Sequence, residues 1–177
     1  MNRHDRRAGI VEKVYPTVAL CMIVKNEEKG ILKALKGVEH LVDEIHISDT
    51  GSTDATVEKI KYRKNPRVTA QVTEDAPILY MTVEKDGVDR LDFSANRNRV
   101  QARTKADWIM IIDGDEEFTY GGTRETFKEA LLEAEEKGAD MIAVDTLLEN
   151  ANKQVLLTEQ VRMYKNSVDI AWERPVH

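Results

Sequence analysis

Four carboxylates occupy five consecutive positions in Asp113-Gly114-Asp115-Glu116-Glu117, directly after the apolar run "WIMII". Mutual repulsion makes such a cluster costly unless a cation or a solvated turn relieves it. Asp113 and Asp115 are one residue apart, so in strand geometry both side chains point to one side, and Gly114 between them permits a close approach. Two carboxylates held that way suit a divalent, oxygen-loving cation such as Mg2+ or Mn2+, which often completes its shell with substrate phosphates. A solvated acidic turn ahead of a helix is the competing reading of the same residues.

A second stretch, "SDTGSTD" from Ser48 to Asp54, places a glycine turn between an apolar segment and a helical one. Asp49 stands where a carboxylate can accept hydrogen bonds from a base or a ribose. The alternative is a plain strand–helix turn with Thr53 as cap. No G-x-G-x-x-G follows any predicted strand and no G-K-[ST] occurs, which removes the dinucleotide fingerprint and the P-loop.

These residues need elements to position them. "TVALCMIV" (Thr17 to Val24) reads as a strand buried on both faces, as in the centre of a parallel sheet. "KNEEKGILKALKGV" follows with Ile31, Leu32, Leu35 and Val38 at helical spacing, Asn26 as a cap, and Glu27 and Glu28 at the positive end of the dipole. "DEIHISD" is a second strand, and "STDATVEKIKYR" a helix capped by Ser52 or Thr53 with Val57, Ile60 and Tyr62 on its apolar face. "RVTAQVTE" is a third strand, and "ILYMTVEKDGVDRL" is either a hairpin turning at Asp86-Gly87 or a loop. A helix starts near Asp92 or Ser94, and "DWIMIID" is the strand that ends in the acidic cluster. "TRETFKEALLEAEEKG" is a capped helix closing at Gly138, before two β-rich segments, "ADMIAVDTLLEN" and "QVLLTEQVRMYKN". Alternation of strand and helix predicts an α/β fold, a mostly parallel sheet flanked by helices, with ligands at the carboxyl ends of the strands. "KNEE", "SDTGSTD" and "DGDEE" should therefore converge on one edge.

Composition narrows the class. The 177 residues suffice for one domain with a substantial core. We expect a flexible leader over 1–15 and a single domain over 16–177, with a further C-terminal part left open. A net charge of −6 argues against a general nucleic-acid binder, and Arg3, Arg6 and Arg7 make only a weak basic patch. No apolar run approaches the ~20 residues of a membrane span, and no signal-peptide core precedes residue 15. The single Cys21 excludes an internal disulfide framework and is expected in the core. These points fit the cytoplasm, with a place at the inner face of a membrane left open.

Four motifs together carry a resemblance. "ALCMIVKNEEKGILKALKGVEHLVDEIHISDTGSTDATVEKI", "DFSANRNRVQARTKADWIMIIDGDEEF", "VRMYKN" and "WERPVH" occur in this order at spacings similar to those of family 2 glycosyltransferases of the GT-A fold. The resemblance implies transfer of a sugar from a nucleotide-diphosphate donor, UDP-linked for preference, with inversion at the anomeric carbon and with Mn2+ or Mg2+ as cofactor. It implies that Val24, Asn26 and Glu27 lie beneath the nucleoside, that Asp49 faces the uracil or ribose, and that Arg97 faces the nucleotide. Asp113 would approach the ribose and the metal, Asp115 would ligate the metal, and His177 would contact the metal or the diphosphate. An inverting transfer also needs a carboxylate base. Glu173 is the first choice, with Glu149 and Glu159 behind it. Trp172 is either a stacking platform for a sugar or a core aromatic, and Trp108 is core. The acceptor is open among a glycan, a lipid-linked glycan, a peptide and a protein.

Two competitors stand beside this reading. A sugar-phosphate nucleotidyltransferase would show a glycine-rich loop with a basic residue after its first strand, and "VKNEEKG" lacks it. A catalytically incomplete donor-binding remnant or interaction module of the same fold would bind nucleotide without transfer.

Overall fold

The computed structural model describes residues 13–63, 69–73, 80–82, 89–149, 153–167 and 170–173. Residues 1–12 of the expected leader, the Asp86-Gly87 turn and His177 lie outside them. Lys13 and Tyr15, the described end of that leader, reach the carboxylate of Glu129.

The element order is β1 (Val18–Val24), α1 (Ile31–Val38), β2 (Glu44–Asp49), α2 (Thr56–Lys61), β3 (Thr69–Thr73), β4 (Tyr80–Thr82), β5 (Asp89–Leu91), α3 (Phe93–Gln101), β6 (Trp108–Ile111), α4 (Arg124–Glu136), β7 (Met141–Glu149) and β8 (Val155–Lys165). Six strands form one sheet in the order β3-β2-β1-β6-β8-β7. The first four of these run parallel, β8 runs antiparallel to β6, and β7 pairs antiparallel with β8. β4 and β5 form the separate antiparallel pair expected of a hairpin.

Alternation along β1 divides the core. Val18, Leu20, Met22 and Val24 join Trp108 and Met110 of β6 beneath α1, α2 and α4, whereas Cys21 joins Ile109 and Tyr164 beneath Val100 of α3. The sheet thus has helices on both faces, as alternation predicted. Burial pushes the Cys21 thiol up to about 12, so it packs as an inert apolar group. On the opposite layer the carboxylate of Asp43, just before β2, receives Lys128 and Arg124 of α4 and the Val18 amide, which pins α4 to the entry of two strands.

Two caps differ from expectation. Asn26 sits at φ 57, in the left-handed region, and α1 begins five residues later, at Ile31 after Gly30. α2 begins at Thr56 after Ala55, and the Asp54 carboxylate, not Ser52 or Thr53, accepts its first amide. In both cases the expected cap is used across a loop instead, as shown below. Leu32 and Tyr62, read as apolar-face residues, are exposed. Asp92 caps α3 through the Ala95 amide, Thr123 caps α4 through Thr126, and Gly138 at φ 75 closes α4. Among the described residues no helix is long and apolar enough to cross a membrane.

α1 also serves as a bed for the acidic loop. A Cβ on Gly30 would stand 2.8 Å from the Gly114 carbonyl oxygen and 3.1 Å from Asp115 Cα, and one on Gly37 would collide with the Phe118 backbone. Two glycines on one face of the helix therefore let the chain from Gly114 to Phe118 lie directly on it. Alanine is normally favoured over glycine in a helix by about 1 kcal/mol. Gly37→Ala is expected to lower stability instead, by about 1–3 kcal/mol of overpacking, whereas Gly121→Ala, with nothing near its added carbon, leaves it unchanged. Thermal melts decide this: a rise in midpoint for Gly37→Ala would contradict the packing described.

Candidate active site

The carboxyl ends of β1, β2 and β6 share one edge, because Val24 is level with Asp49 and Cys21 with Ile111. The loops after β1 and β2 are joined by hydrogen bonds along their length. The Asn26 amide donates to Ser52 Oγ (2.9 Å), Thr53 N–H to Asn26 Oδ1 (2.8 Å), Glu27 N–H to Thr56 Oγ1 (2.7 Å) and Glu28 N–H to Asp54 Oδ2 (3.1 Å). In return Glu28 accepts from the Ala55 amide through its carboxylate and from Lys59 Nζ through its carbonyl (2.6 Å). The left-handed turn at Asn26 is what aims its amide and side chain at the neighbouring loop. Asn tolerates that conformation better than most residues.

Val24 and Asp49 face inward. The Val24 carbonyl accepts both the amide and the hydroxyl of Thr50. Asp49 is buried, its Oδ2 taking the Gly51 and Ser52 amides at 3.0 and 2.9 Å and its Oδ1 the Ser52 hydroxyl. Their contacts in this structure are those of a scaffold that shapes the turn.

The acidic loop resolves the electrostatic question posed by its sequence. Asp113 pairs with Arg97 of α3 at 3.1 Å, Glu116 with Arg162 of β8, and Glu117 with Lys33 of α1 at 2.6 Å. Glu116 also accepts the Asp113 amide at 2.9 Å and so closes the turn around Gly114. Asp115 is exposed and has no cationic partner among the described residues. Beside it lies Glu27, whose side chain occupies the space a Cβ on Gly114 would need, with its Cγ 2.7 Å from that position. Partial burial, then the charges of Asp115, Asp54 and Asp113, hold the Glu27 carboxyl above its ordinary value. The edge therefore carries uncompensated negative potential centred on Asp115 and Glu27.

Arg97 is held from two sides. Its guanidinium lies 4.7 Å from the centre of the Trp172 ring while its other side meets Asp113. Trp172 is in turn fixed to α3: Asn98 donates to its carbonyl (3.0 Å) and accepts its amide (2.8 Å), and Gln101 donates to the Ile170 carbonyl (2.9 Å). The indole thus serves as a platform for an arginine. Glu173 follows it, exposed, on the same docked segment.

Of the residues expected to act together, Asn26, Glu27, Arg97, Asp113 and Asp115 are brought to one edge, with Val24 and Asp49 beneath them. Glu149 and Glu159 stand on the β7–β8 hairpin, and His177 lies outside the described residues. Glu116 enters the sequence reading only as one acid of the cluster, and Arg162, Asn98 and Gln101 have no individual role in it. Their partners lie in other elements, and only the position of Arg162 within "VRMYKN" hinted at involvement. Among the described residues no group of three or more His, Cys, Asp or Glu side chains could hold a metal. The donor set fits a hard cation only if other oxygens, such as phosphate oxygens, complete its shell.

Residues 19–155 match the family model described as glycosyl transferase family 2. The chain belongs to this family. A TPR repeat-containing protein of Synechococcus elongatus is 33% identical over 161 residues, covering 90% of this chain and 34% of its own length. The SPbeta prophage-derived glycosyltransferase SunS of Bacillus subtilis is 34% identical over 108 residues, covering 61% of this chain and 22% of its own. This family 2 chain thus spans about a third or less of the curated relatives it matches. Among solved structures, S. aureus TarS 1–349 in complex with UDP shares the fold with a TM-score of 0.50 and 19% identity, over 71% of this chain and 34% of that one. The GT-A fold and family expected from the four motifs are borne out.

The raised Glu27 value has a signed consequence. The folded state binds this proton more tightly than the unfolded state, so its contribution favours folding below the ordinary value of 4.5 and is lost as pH rises through the raised value. At pH 7 the ionised carboxylate opposes folding. Glu27→Gln is expected to raise the melting midpoint at pH 7, and the gain to vanish as pH falls below 4.5. Equal midpoints for variant and wild type across that range would contradict the electrostatics described.

Proposed function

We propose that this chain is the donor-binding and catalytic part of a metal-dependent, inverting glycosyltransferase that uses a UDP-linked sugar. Family membership supports the reaction class, and the observation that carries the finer reading is that Asp115, alone of the four acids of the loop, meets no cation among the described residues. Arg97, Arg162 and Lys33 neutralise three of the four acids of the loop and leave Asp115 available. UDP is favoured because TarS, which shares the fold, was crystallised with it.

In this reading the joined β1 and β2 loops receive the nucleoside. Asn26, and Asp49 through the turn it shapes, provide the recognition. Asp113, kept in place by Arg97, approaches the ribose. Asp115, with Asp113 and His177, would hold Mn2+ or Mg2+ against the donor diphosphate. When bound, such an ion supplies Lewis-acid stabilisation of the charge that builds on the leaving diphosphate. Arg97 adds a fixed positive charge at the same edge, and its place between Trp172 and Asp113 removes the need to reorganise it during reaction. The acceptor nucleophile attacks the anomeric carbon from the face opposite the diphosphate, the carbon–oxygen bond to phosphate breaks, and Glu173 takes the nucleophile's proton. We place donor binding in one domain over 16–177 and the reaction in the cytoplasm.

A titration of UDP, GDP and CDP with and without Mn2+, followed by thermal shift on wild type and Asp115→Ala, tests this proposal. A ligand at ~100 times its Kd adds about 2.7 kcal/mol, which for a chain of this size is a rise of several degrees at roughly 2–4 °C per kcal/mol. We expect UDP to stabilise the wild type only when Mn2+ is present, and the effect to disappear in the variant. If no nucleotide shifts the midpoint with or without metal, the transferase reading fails. Metal-dependent UDP binding without sugar transfer would leave a donor-binding module.

A further inference from the structure

β8 pairs with β6 only over Met163–Lys165, so its remaining length runs on past the carboxyl edge of the sheet together with β7. At ~3.3 Å per residue this hairpin projects roughly 25 Å beyond the end of β6. It does so on the side of the acidic loop, as the contact between Arg162 and Glu116 shows. The projecting part carries uncovered apolar side chains: Leu147 is 70% exposed, and Val155 and Leu157 are each 62% exposed.

The register sorts these residues. Leu147 is level with Leu157, Asp145 with Glu159 and Ala143 with Val161. Each pair shares one face of the hairpin, because side chains alternate along both strands. That face belongs to the same side of the sheet as Tyr164 and α3, since Met141, level with Tyr164, precedes Ala143 by two. An apolar row is thus followed by a row of two carboxylates and then by another apolar row. Like charges directly opposite each other across strands are unfavourable, and neither Asp145 nor Glu159 has a cationic partner among the described residues. Glu149, level with Val155, adds a third acid near the tip.

We propose that this face is a docking surface for an amphipathic helix of a protein partner, one that carries arginine or lysine between apolar residues a turn away on either side. Two dimensions fit. The rows are spaced by two strand residues, about 6.8 Å, close to the ~6 Å separating residues i and i+4 on a helix. A two-stranded ribbon is also about as wide as one helix. Charge selects the occupant: a second copy of the chain laid face to face would bring Asp145 and Glu159 against their own kind. A lipid surface rich in anionic headgroups is disfavoured for the same reason. This proposal does not depend on the donor-site reading.

The test uses two synthetic 14-residue amphipathic helices, identical except that the residues flanked by leucines one turn away are arginine in one and glutamate in the other. Fluorescence anisotropy against the intact chain is expected to show at least tenfold tighter binding of the arginine peptide, with the difference shrinking at high salt. Leu147→Glu with Leu157→Glu should abolish binding, and Asp145→Lys with Glu159→Lys should reverse the preference. That reversal is a gain of binding which misfolding cannot mimic. Absence of binding by either peptide at millimolar concentration, or equal binding of both, overturns the proposal. So does a concentration-dependent dimer in sedimentation that the leucine variants dissolve, which would make the occupant a second copy.

Discussion

A buried strand that ends in four carboxylates obliges the rest of the chain to bring cations to it. β6 makes this demand, and the answers come from three separate elements: Arg97 from α3, Arg162 from β8 and Lys33 from α1. Each pair that relieves repulsion also ties one element to the sheet edge. The charge balance and the assembly of the edge are thus one problem, and the balance stops one carboxylate short. Among the described residues no cation meets Asp115, which stands exposed beside Glu27.

The second constraint is steric. Glu27 can approach the loop only because position 114 has no side chain, and the loop can lie on α1 only because positions 30 and 37 have none. Together with the hydrogen-bonded loops after β1 and β2, these contacts make the three strand ends a single unit. Arg97 extends that unit to Trp172 through its ring contact, and Asn98 and Gln101 fix the segment bearing Trp172. The candidate base, Glu173, is therefore connected to the acidic loop by a short chain of direct contacts.

What could be read in the sequence divides along the range of the interactions. β1, β2 and β6, the capped α4 and the convergence of the strand ends follow from local periodicity and turn chemistry, and all appear as expected. The starts of α1 and α2 do not. Asn26, Ser52 and Thr53 have the right chemistry to cap, but their hydrogen bonds run across 26 or 27 residues to each other. Local rules cannot see that competition. The same limit hid the partner of Glu116, 46 residues away, and with it the fact that Asp115, rather than any neighbour, is the carboxylate left unpaired. Asp49 stood out as a ligand acid by residue type. Its burial within its own turn depends on how Gly51 and Ser52 fold back, which spacing alone does not reveal.

In the proposed reaction, Arg97, Arg162 and Lys33 engage the other acids of this loop and Asp115 remains for a metal held jointly with a nucleotide diphosphate. Anomalous diffraction at the manganese edge, from crystals grown with UDP and Mn2+, tests it most directly. The expected result is one strong peak about 2.0–2.3 Å from an Asp115 carboxylate oxygen, in keeping with hard-cation distances to oxygen, with UDP phosphate oxygens completing the shell and the Arg97–Asp113 pair intact. A peak at Glu116 or Glu117 with their cations displaced, or no peak at the loop when UDP is bound, would contradict the account.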